Sequence, residues 1–261
     1  FQIFLSALPT APAWIMHSGP FTLNIEMFFV LSGALITSLL VSEHQRTGTV
    51  ALDKFYLRRS RRLGPAWTLG IEEQFYLTWP VLLRAALRRA WDRQEVLLAC
   101  ALVIVIFTAI STLLDATYQP THVVYMTPTQ ISPILIGCVL GYTITANPGG
   151  WLAALLRSRI VALAGLGGMV LISIEWDANL TALAEGGYAL YGVAASLVIG
   201  HCMVRADQPT VWNNVLGWKP FVIIGQVSYE GYLVHCIVII DVLLIAAISG
   251  IFYYLVERPI R

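Results

Sequence analysis

The sequence has 261 residues, of which 57% are hydrophobic and only 12% are charged, and its mean hydropathy is +0.73. Soluble domains average roughly 45–50% apolar and about 25% charged residues, so this composition excludes an ordinary soluble protein and indicates a membrane protein. The formal net charge of +1 gives no indication of nucleic-acid binding.

Apolar blocks recur along the chain, and most are close to the roughly 20 residues that a membrane-spanning helix needs. We therefore predict an all-α, polytopic transmembrane helical bundle of about 8–9 membrane segments, formed by a single domain over residues 1–261. The chain begins at Phe1 without a methionine or a basic leading stretch, so it is expected to be truncated at its start. The predicted segments are 1–17, 21–41, 66–83, 95–114, 131–146, 160–175, 187–204, 221–239 and 242–256.

Basic residues predict the orientation of the chain, because cytoplasmic loops are enriched in lysine and arginine. The opposite loops contain acidic residues, such as Asp115 and Asp177, and no base. We therefore expect a bacterial-type inner-membrane or plasma-membrane protein with both termini in the cytoplasm. All 16 lysines and arginines fall within 42–63, 84–95, 147–159, 205–220 and 258–261.

His17, in the string WIMHSGPF, is the first residue that could carry chemistry. A neutral imidazole can take a proton from a hydroxyl group, as a general base does when its pKa lies near the working pH. The alternative is a histidine at the membrane boundary that hydrogen-bonds to a loop. Both interpretations are open on the residues alone.

Glu26 is the next candidate, and it shares one helical face with Gly33 and Thr37 at about 100° per residue. We expect that face to point into the bundle. An ionisable side chain inside a membrane is costly, so it usually lines a cavity or meets a partner. The alternative is that Glu26 lies high enough in the membrane to be solvated.

A cluster of arginines follows in the string FYLRRSRRLGPA. Guanidinium groups bind phosphate and pyrophosphate through paired hydrogen bonds, so the cluster is a candidate phosphate site. The alternative is that it only sets the topology and contacts anionic lipid headgroups. Its members are Arg58, Arg59, Arg61 and Arg62.

The next segment, WTLGIEEQFYLTWP, has two adjacent carboxylates, Glu72 and Glu73. Two carboxylates in hydrocarbon would not both stay ionised unless paired, so they imply a nearby base or a polar cavity. Both flanks of this segment are basic, so either it is re-entrant or a neighbouring helix is missing. One face of it, with Glu73 at the edge, is predicted to contain Thr68, Glu72, Tyr76 and Trp79.

Near the C-terminus, the string GQVSYEGYLVHCIVII places Ser228, Tyr232 and His235 on one helical face. A lone buried histidine is more often a hydrogen-bonded helix contact than a catalyst, and both interpretations of His235 are open. The cysteines are expected to pack as small apolar residues, with no metal site. They are Cys100, Cys138, Cys202 and Cys236.

Six strings resemble, in this order, the signature blocks of the acyltransferase 3 family of integral-membrane O-acyltransferases: FFVLSGALITSLL, FYLRRSRRLGPA, WTLGIEEQFYLTWP, YMTPTQISPILIGCVLGY, GQVSYEGYLVHCIVII and LVERPIR. The resemblance implies transfer of an acyl group, most simply acetyl, from a cytoplasmic acyl-CoA such as acetyl-CoA. The acceptor it implies is a hydroxyl of an extracytoplasmic carbohydrate or a similar molecule. The implied partners are then the lipid bilayer and that acceptor. No metal cofactor is implied.

The same resemblance implies roles for the candidate residues. His17 is implied as the catalytic base, and Glu26 fills the place of the acidic residue that precedes FFVLSG. The EEQFY string implies a structural or substrate-orienting role for Glu72, Glu73 and Tyr76. The arginine cluster is implied to hold the donor.

The chain also departs from the family pattern, which has about ten spanning helices of roughly 20 residues each. Ser6 and Gln130 stand where the family has arginine. The stretch that usually separates the RRLGPA-like and WTLGIEEQFY-like blocks, with another spanning helix, is absent because Ala66 joins Trp67 directly. We therefore expect an internally deleted member of the family.

Two other functions are open on the sequence. Intramembrane carboxylates and His235 would also suit a proton-coupled transporter or flippase, although no inverted repeat is readable. The departures from the family pattern would suit a catalytically inactive relative that acts as a structural partner.

Overall fold

The computed structural model of the protein describes residues 19–59, 67–117, 127–176 and 186–206, together with 208, 214, 217–220 and 222–223. Every regular element in these ranges is a helix, which confirms the all-α prediction. The helices are α1 (Gly19–Thr47), α2 (Leu52–Arg59), α3 (Trp67–Arg88), α4 (Arg93–Asp115), α5 (Thr127–Ala146), α6 (Trp151–Leu156), α7 (Arg159–Trp176) and α8 (Tyr188–Val204).

Three helices in the described part of the chain are long and apolar enough to cross a membrane: Ile25–Thr47 within α1, all of α4 and all of α5. Shorter apolar helices are Arg159–Ile174, within α7, and α8. Large apolar side chains on α4 and α7 are exposed, for example Leu102 at 60% and Ile160 at 77%, as expected for surfaces that face lipid.

The predicted segment 66–83 forms most of α3, which is not among those three because two glutamates and two arginines reduce its apolar character. The predicted segments 1–17 and 242–256, and nearly all of 221–239, lie outside the described residues. The predicted total of about 8–9 segments therefore stays a prediction.

The chain divides into two compact units. One comprises Phe1–Leu52 and Gln74–Gln208, and the other comprises Asp53–Glu73 and Pro209–Arg261. The first unit contains α1, α4 to α8 and the larger part of α3, whereas the second contains nearly all of α2 and the beginning of α3. The single domain predicted over 1–261 stays a prediction.

In the first unit, α1 packs most extensively on α5, and α8 packs on α5, α7 and α1. Helix α4 lies against α5 as well, so α5 is the central helix of this unit. Aliphatic and aromatic side chains fill the space between the helices. The core consists of Val30, Ala34, Leu140, Leu156, Tyr188, Tyr191, Ala195 and Ile199.

Glycines allow α1 and α5 to approach closely. A Cβ atom at Gly33 would overlap the carbonyl oxygen of Ile134, and one at Gly137 would overlap that of Val30. Small residues at a crossing point let backbones come together and are typical of helix pairs in membranes. The Ser38 hydroxyl donates a hydrogen bond of 3.3 Å to the Gly141 carbonyl across the same pair.

The start of α4 follows from its local sequence. Asp92 Oδ1 accepts a hydrogen bond from the Glu95 backbone N–H at 2.8 Å, and Glu95 Oε2 accepts one from the Asp92 N–H at 2.7 Å. This reciprocal capping box satisfies two backbone donors that the first turn would otherwise leave unpaired. The helix therefore begins within two residues of the predicted segment 95–114.

Candidate active site

Polar side chains are buried inside the first unit, mainly on α1 and α5. Polar groups are expensive away from water, so such a concentration in a membrane helix bundle indicates a polar cavity, a helix contact or a functional site. Among the described residues of this unit, the buried polar ones are Glu26, Ser32, Thr37, Ser111, Thr129, Gln130, Ser132, Thr143, Ser196 and His201.

Glu26 is the one fully buried carboxylate of the first unit among the described residues, with 0% of its side chain exposed. Gly33 and Thr37 are also buried, which confirms that this face of α1 points into the bundle. The absence of any exposed side-chain surface on Glu26 argues against the alternative that it is solvated.

The surroundings of Glu26 come from two other helices. The Gln130 side chain on α5 acts on its carboxyl as a hydrogen-bonding group, and Tyr191 on α8 lies within electrostatic range of its charge. Neither carboxyl oxygen has a partner at ordinary hydrogen-bonding distance among the described residues. The carboxyl therefore keeps capacity to accept hydrogen bonds from a ligand. Glu26, Gln130 and Tyr191 are called the Glu26 cluster below.

Thr37 connects α1 to α3. The Trp79 indole Nε1–H donates a hydrogen bond of 2.9 Å to the Thr37 hydroxyl, and both residues are buried. Trp79 also stacks on Phe75 one turn earlier, with ring centroids 6.1 Å apart and 18° between the planes. The C-terminal part of α3 is thereby fixed against the helix that positions Glu26.

The two adjacent glutamates on α3 differ in their exposure to solvent. Glu72 is 3% exposed and belongs to the second unit, as does Glu73, which is only partly buried. Tyr76, in the first unit, is 6% exposed. Three of the four residues predicted to share this face, Glu72, Tyr76 and Trp79, are therefore buried, and Glu73 is more exposed than they are.

The catalytic and binding roles of all the predicted site residues remain predictions. Arg58 and Arg59 are the last two residues of α2, in the second unit. Residues outside the described part of the chain are His17, Arg61, Arg62, Ser228, Tyr232 and His235.

Sequence reasoning missed two partners of the site. It noted that Gln130 replaces an arginine, but not that this side chain reaches Glu26, and it did not single out Tyr191. The signal for Gln130 was its position directly before the apolar block ISPILIGCVLGY, where an amide side chain removed from water needs a hydrogen-bonding partner. Tyr191 had no comparable signal, since tyrosines are common in apolar helices.

His201 was also missed, and it makes a hydrogen bond between two helices. Its Nδ1 lies 2.7 Å from the Leu156 carbonyl oxygen, and a carbonyl can only accept, so Nδ1 carries the proton. The side chain is 2% exposed. His201 therefore fixes the end of α6 to α8. In the described ranges, no group of three or more His, Cys, Asp or Glu residues could hold a metal ion.

A profile of the family described as "Acyltransferase domain", acyltransferase 3, matches residues 62–257. The O-acetyltransferase OatA of Staphylococcus aureus (strain NCTC 8325 / PS 47) is 27% identical over 334 aligned residues, which cover 94% of this chain and 53% of that protein. YrhL of Bacillus subtilis (strain 168), named as a candidate peptidoglycan O-acetyltransferase, is 23% identical over 321 aligned residues, covering 92% and 50%. No solved structure gives a significant match.

The chain spans about half the length of these curated relatives. Both alignments are longer than the 261 residues of the chain, so the relatives have residues inside the matched region that this chain lacks. That difference is in line with an internal deletion.

Proposed function

Because the chain belongs to the acyltransferase 3 family, whose domain it matches over most of its length, we propose that it is an integral-membrane O-acyltransferase. It transfers an acyl group, most simply acetyl, from an acyl-CoA at the cytoplasmic face to a hydroxyl of an extracytoplasmic carbohydrate. The name of the Bacillus relative supports peptidoglycan as the type of acceptor. The structural observation that carries the proposal is the Glu26 carboxyl, fully buried and with hydrogen-bonding capacity left over.

The proposed reaction is an attack of the acceptor oxygen on the thioester carbonyl. The C–O bond of the new ester forms, the C–S bond breaks, and coenzyme A leaves as the thiol. His17 takes the proton of the acceptor hydroxyl, and this proton neutralises the departing thiolate. No metal or redox step is needed for this balance.

Glu26 orients the acceptor in this scheme. Its oxygens accept a hydrogen bond from an acceptor hydroxyl, which a buried carboxyl with unused acceptor capacity is suited to do. The Gln130 amide holds the carboxyl in place from α5. Glu72, Glu73 and Tyr76 contribute to orientation of the substrate.

The donor is held by its phosphates. Arg58, Arg59, Arg61 and Arg62 bind the pyrophosphate of coenzyme A through their planar, paired donors. These arginines lie in the basic stretch 42–63. The positive charge of this and the other basic stretches is also the basis for assigning them, and both termini, to the cytoplasmic side.

Release of coenzyme A by the purified protein in lipid nanodiscs, with a carbohydrate acceptor present, tests the proposal. His17→Ala is expected to lower the rate by a factor of about 10² to 10⁴, the usual contribution of a general base. His235→Ala is the matched control and should retain transfer in protein that remains folded. Full activity in His17→Ala, together with loss of activity in folded His235→Ala, would show that the catalytic base is the other histidine.

A further inference from the structure

The short helix α6 has two apolar faces, and only one of them is covered. Ala153 and Leu156 are buried in the first unit, where α6 packs against α5, α7 and α8. On the other side, Trp151 is 71% exposed, Leu155 is 43% exposed and Ala154 is exposed as well. These three positions are related by steps of three and four residues, so they form one face of the helix, called the α6 outer face below. A helix at a water-facing surface normally has polar residues on its outer face, and α6 has none there.

Hydrogen bonds between helices place α6 at one particular end of the first unit. The Gln45 side-chain amide, near the end of α1, donates a hydrogen bond of 3.4 Å to the Thr145 carbonyl, near the end of α5. The His201 ring, near the end of α8, donates one of 2.7 Å to the Leu156 carbonyl at the end of α6. The C-terminal ends of α1, α5 and α8 therefore lie at the same end of the unit as α6.

That end of the unit is basic. The stretch 147–159, which contains α6, has two arginines and no acidic residue. The last turn of α1 and the residue that follows α8 contribute an arginine each. The four arginines are Arg46, Arg157, Arg159 and Arg205.

The interface of a bilayer suits the α6 outer face better than water does. The six residues of α6 extend about 9 Å at 1.5 Å per residue, so the helix can lie at a membrane surface but cannot cross a core of about 30 Å. Tryptophan is enriched at membrane interfaces, and interfacial helices place an apolar face among headgroups and acyl chains with cationic residues beside it. Arg157 and Arg159 are exposed and provide this charge directly after α6.

The surface that follows α6 along the chain is also suited to lipid. Ile160 and Leu163, in the first two turns of α7, are large apolar side chains that are mostly exposed. A bilayer that surrounds α7 extends to the level of Ile160, which comes shortly after the α6 outer face in the sequence. The same bilayer can therefore cover both apolar surfaces.

We propose that α6 lies in the bilayer interface at the basic end of the first unit, with Trp151, Ala154 and Leu155 inserted between lipid headgroups and acyl chains. The hydrogen bond from His201 to Leu156 holds the end of α6 on α8, while the outer face contacts the lipid. The partner is a phospholipid surface, and the neighbouring arginines favour an anionic one. This interaction does not depend on the proposed acyl transfer.

Electron paramagnetic resonance of nitroxide labels measures the position of α6 directly. Ala154→Cys and Leu155→Cys are introduced one at a time into the full chain in a cysteine-free background, labelled, and reconstituted in vesicles of phosphatidylglycerol and phosphatidylcholine. Oxygen, which concentrates in the bilayer, and a nickel chelate, which stays in water, are the two relaxing agents. The control is Thr47→Cys, an exposed position at the same end that follows the polar string SEHQR.

Both labels on α6 are expected to be relaxed more strongly by oxygen than by the nickel chelate, at a depth of about 5–10 Å into the boundary of headgroups and acyl chains. The label on Thr47→Cys should show the reverse order. Labels on α6 that behave like this control would place the outer face in water and overturn the proposal. Labels protected from both agents would show that a second copy of the chain or another protein covers this face, which overturns the proposal as well.

The experiment does not depend on a single variant or on activity. Ala154 and Leu155 are both exposed, so each substitution is expected to leave the fold intact, and either label alone decides the question. No catalysis is measured, so failure of the proposed acyl transfer would leave the position of α6 unaffected.

Discussion

At the scale of single residues, the most informative feature is the buried Glu26 carboxyl on α1. A carboxylate removed from water is stabilised when neighbouring groups satisfy all of its oxygens. Gln130 acts on this carboxyl, yet neither oxygen has a close partner among the described residues. A purely structural role predicts that an amide would serve at this position equally well, whereas a role in substrate binding predicts that it would not.

Glu26→Gln separates these two roles. The amide has nearly the same shape but offers one acceptor oxygen instead of two, so transfer is expected to fall about tenfold, the loss of one hydrogen bond. Thermal stability should stay equal or rise, because a buried ionisable group is removed. Glu43→Gln, the same change at a partly exposed residue of α1, is the control. Normal transfer in Glu26→Gln would leave Glu26 with a structural role only.

The hydrogen bond between Trp79 and Thr37 predicts a coupling energy. Trp79→Phe removes the indole donor and leaves the Thr37 hydroxyl without it. Hydrogen bonds between membrane helices contribute about 0.6 kcal/mol on average and up to about 1.7 kcal/mol. A double-mutant cycle with Thr37→Val, measured by unfolding in detergent, should return a coupling in that range. Strictly additive effects of the two substitutions would show that the bond adds nothing to stability.

Part of the site could be predicted from the sequence because it depends on helical periodicity. The inward orientation of Glu26, Thr37 and Glu72 follows from residue spacing alone. Their partners on other helices could not be predicted, because a single sequence does not encode which residues of two separate helices lie at the same depth. The contact of Gln130 with Glu26 is of this second kind.

At the scale of helices, the sequence predicted positions better than ends. The apolar block 21–41 predicted the middle of α1, but the helix continues to Thr47 through the polar string SEHQRT. Hydropathy reports which residues suit the membrane, whereas a helix continues beyond it while backbone hydrogen bonds are satisfied, and His44 and Arg46 suit its C-terminal turn. The short helices α2 and α6 were not predicted, since neither has a long apolar run.

The close approach of α1 and α5 predicts that glycine-to-alanine substitution has opposite effects at this crossing and at an uncrowded position on α7. Gly137→Ala would place a methyl group against the Val30 backbone and should destabilise the protein by about 1–3 kcal/mol, the usual result of overpacking. Gly167→Ala on α7 has open space at its Cβ and should be neutral or stabilising by up to about 1 kcal/mol. Thermal unfolding of both variants in detergent is the measurement. Equal stability of the two would contradict the close approach at Gly137.

At the scale of the whole molecule, composition and the lengths of the apolar blocks predicted an all-helical membrane protein, and the structure and the family match agree with it. The number of membrane segments and the division into two units were beyond reach of the sequence. Hydropathy counts apolar blocks, but it does not determine whether a charged segment such as α3 crosses the membrane or which helices pack together.

The distribution of basic residues predicts the orientation in the membrane. Thr47, at the end of α1, lies within the basic stretch 42–63 and should face the cytoplasm. Thr117 lies just after the acidic end of α4 and should face outside. Both residues are exposed, so single cysteines introduced there in a cysteine-free background can react. An impermeant maleimide added to intact cells is expected to label Thr117→Cys and to spare Thr47→Cys. Labelling of Thr47→Cys but not of Thr117→Cys would show that the orientation is the opposite of the predicted one.

The most direct test of the central claim follows the acyl group itself across the bilayer. Purified protein is reconstituted in vesicles with acetyl-labelled acetyl-CoA on one side and a peptidoglycan-derived glycan on the other. We predict that the label accumulates as an ester on the glycan with the unaltered protein, and that His17→Ala lowers this by about 10² to 10⁴. Absence of labelled glycan with the unaltered protein in both orientations, although the protein is folded and donor is present, would contradict the assignment as an O-acyltransferase.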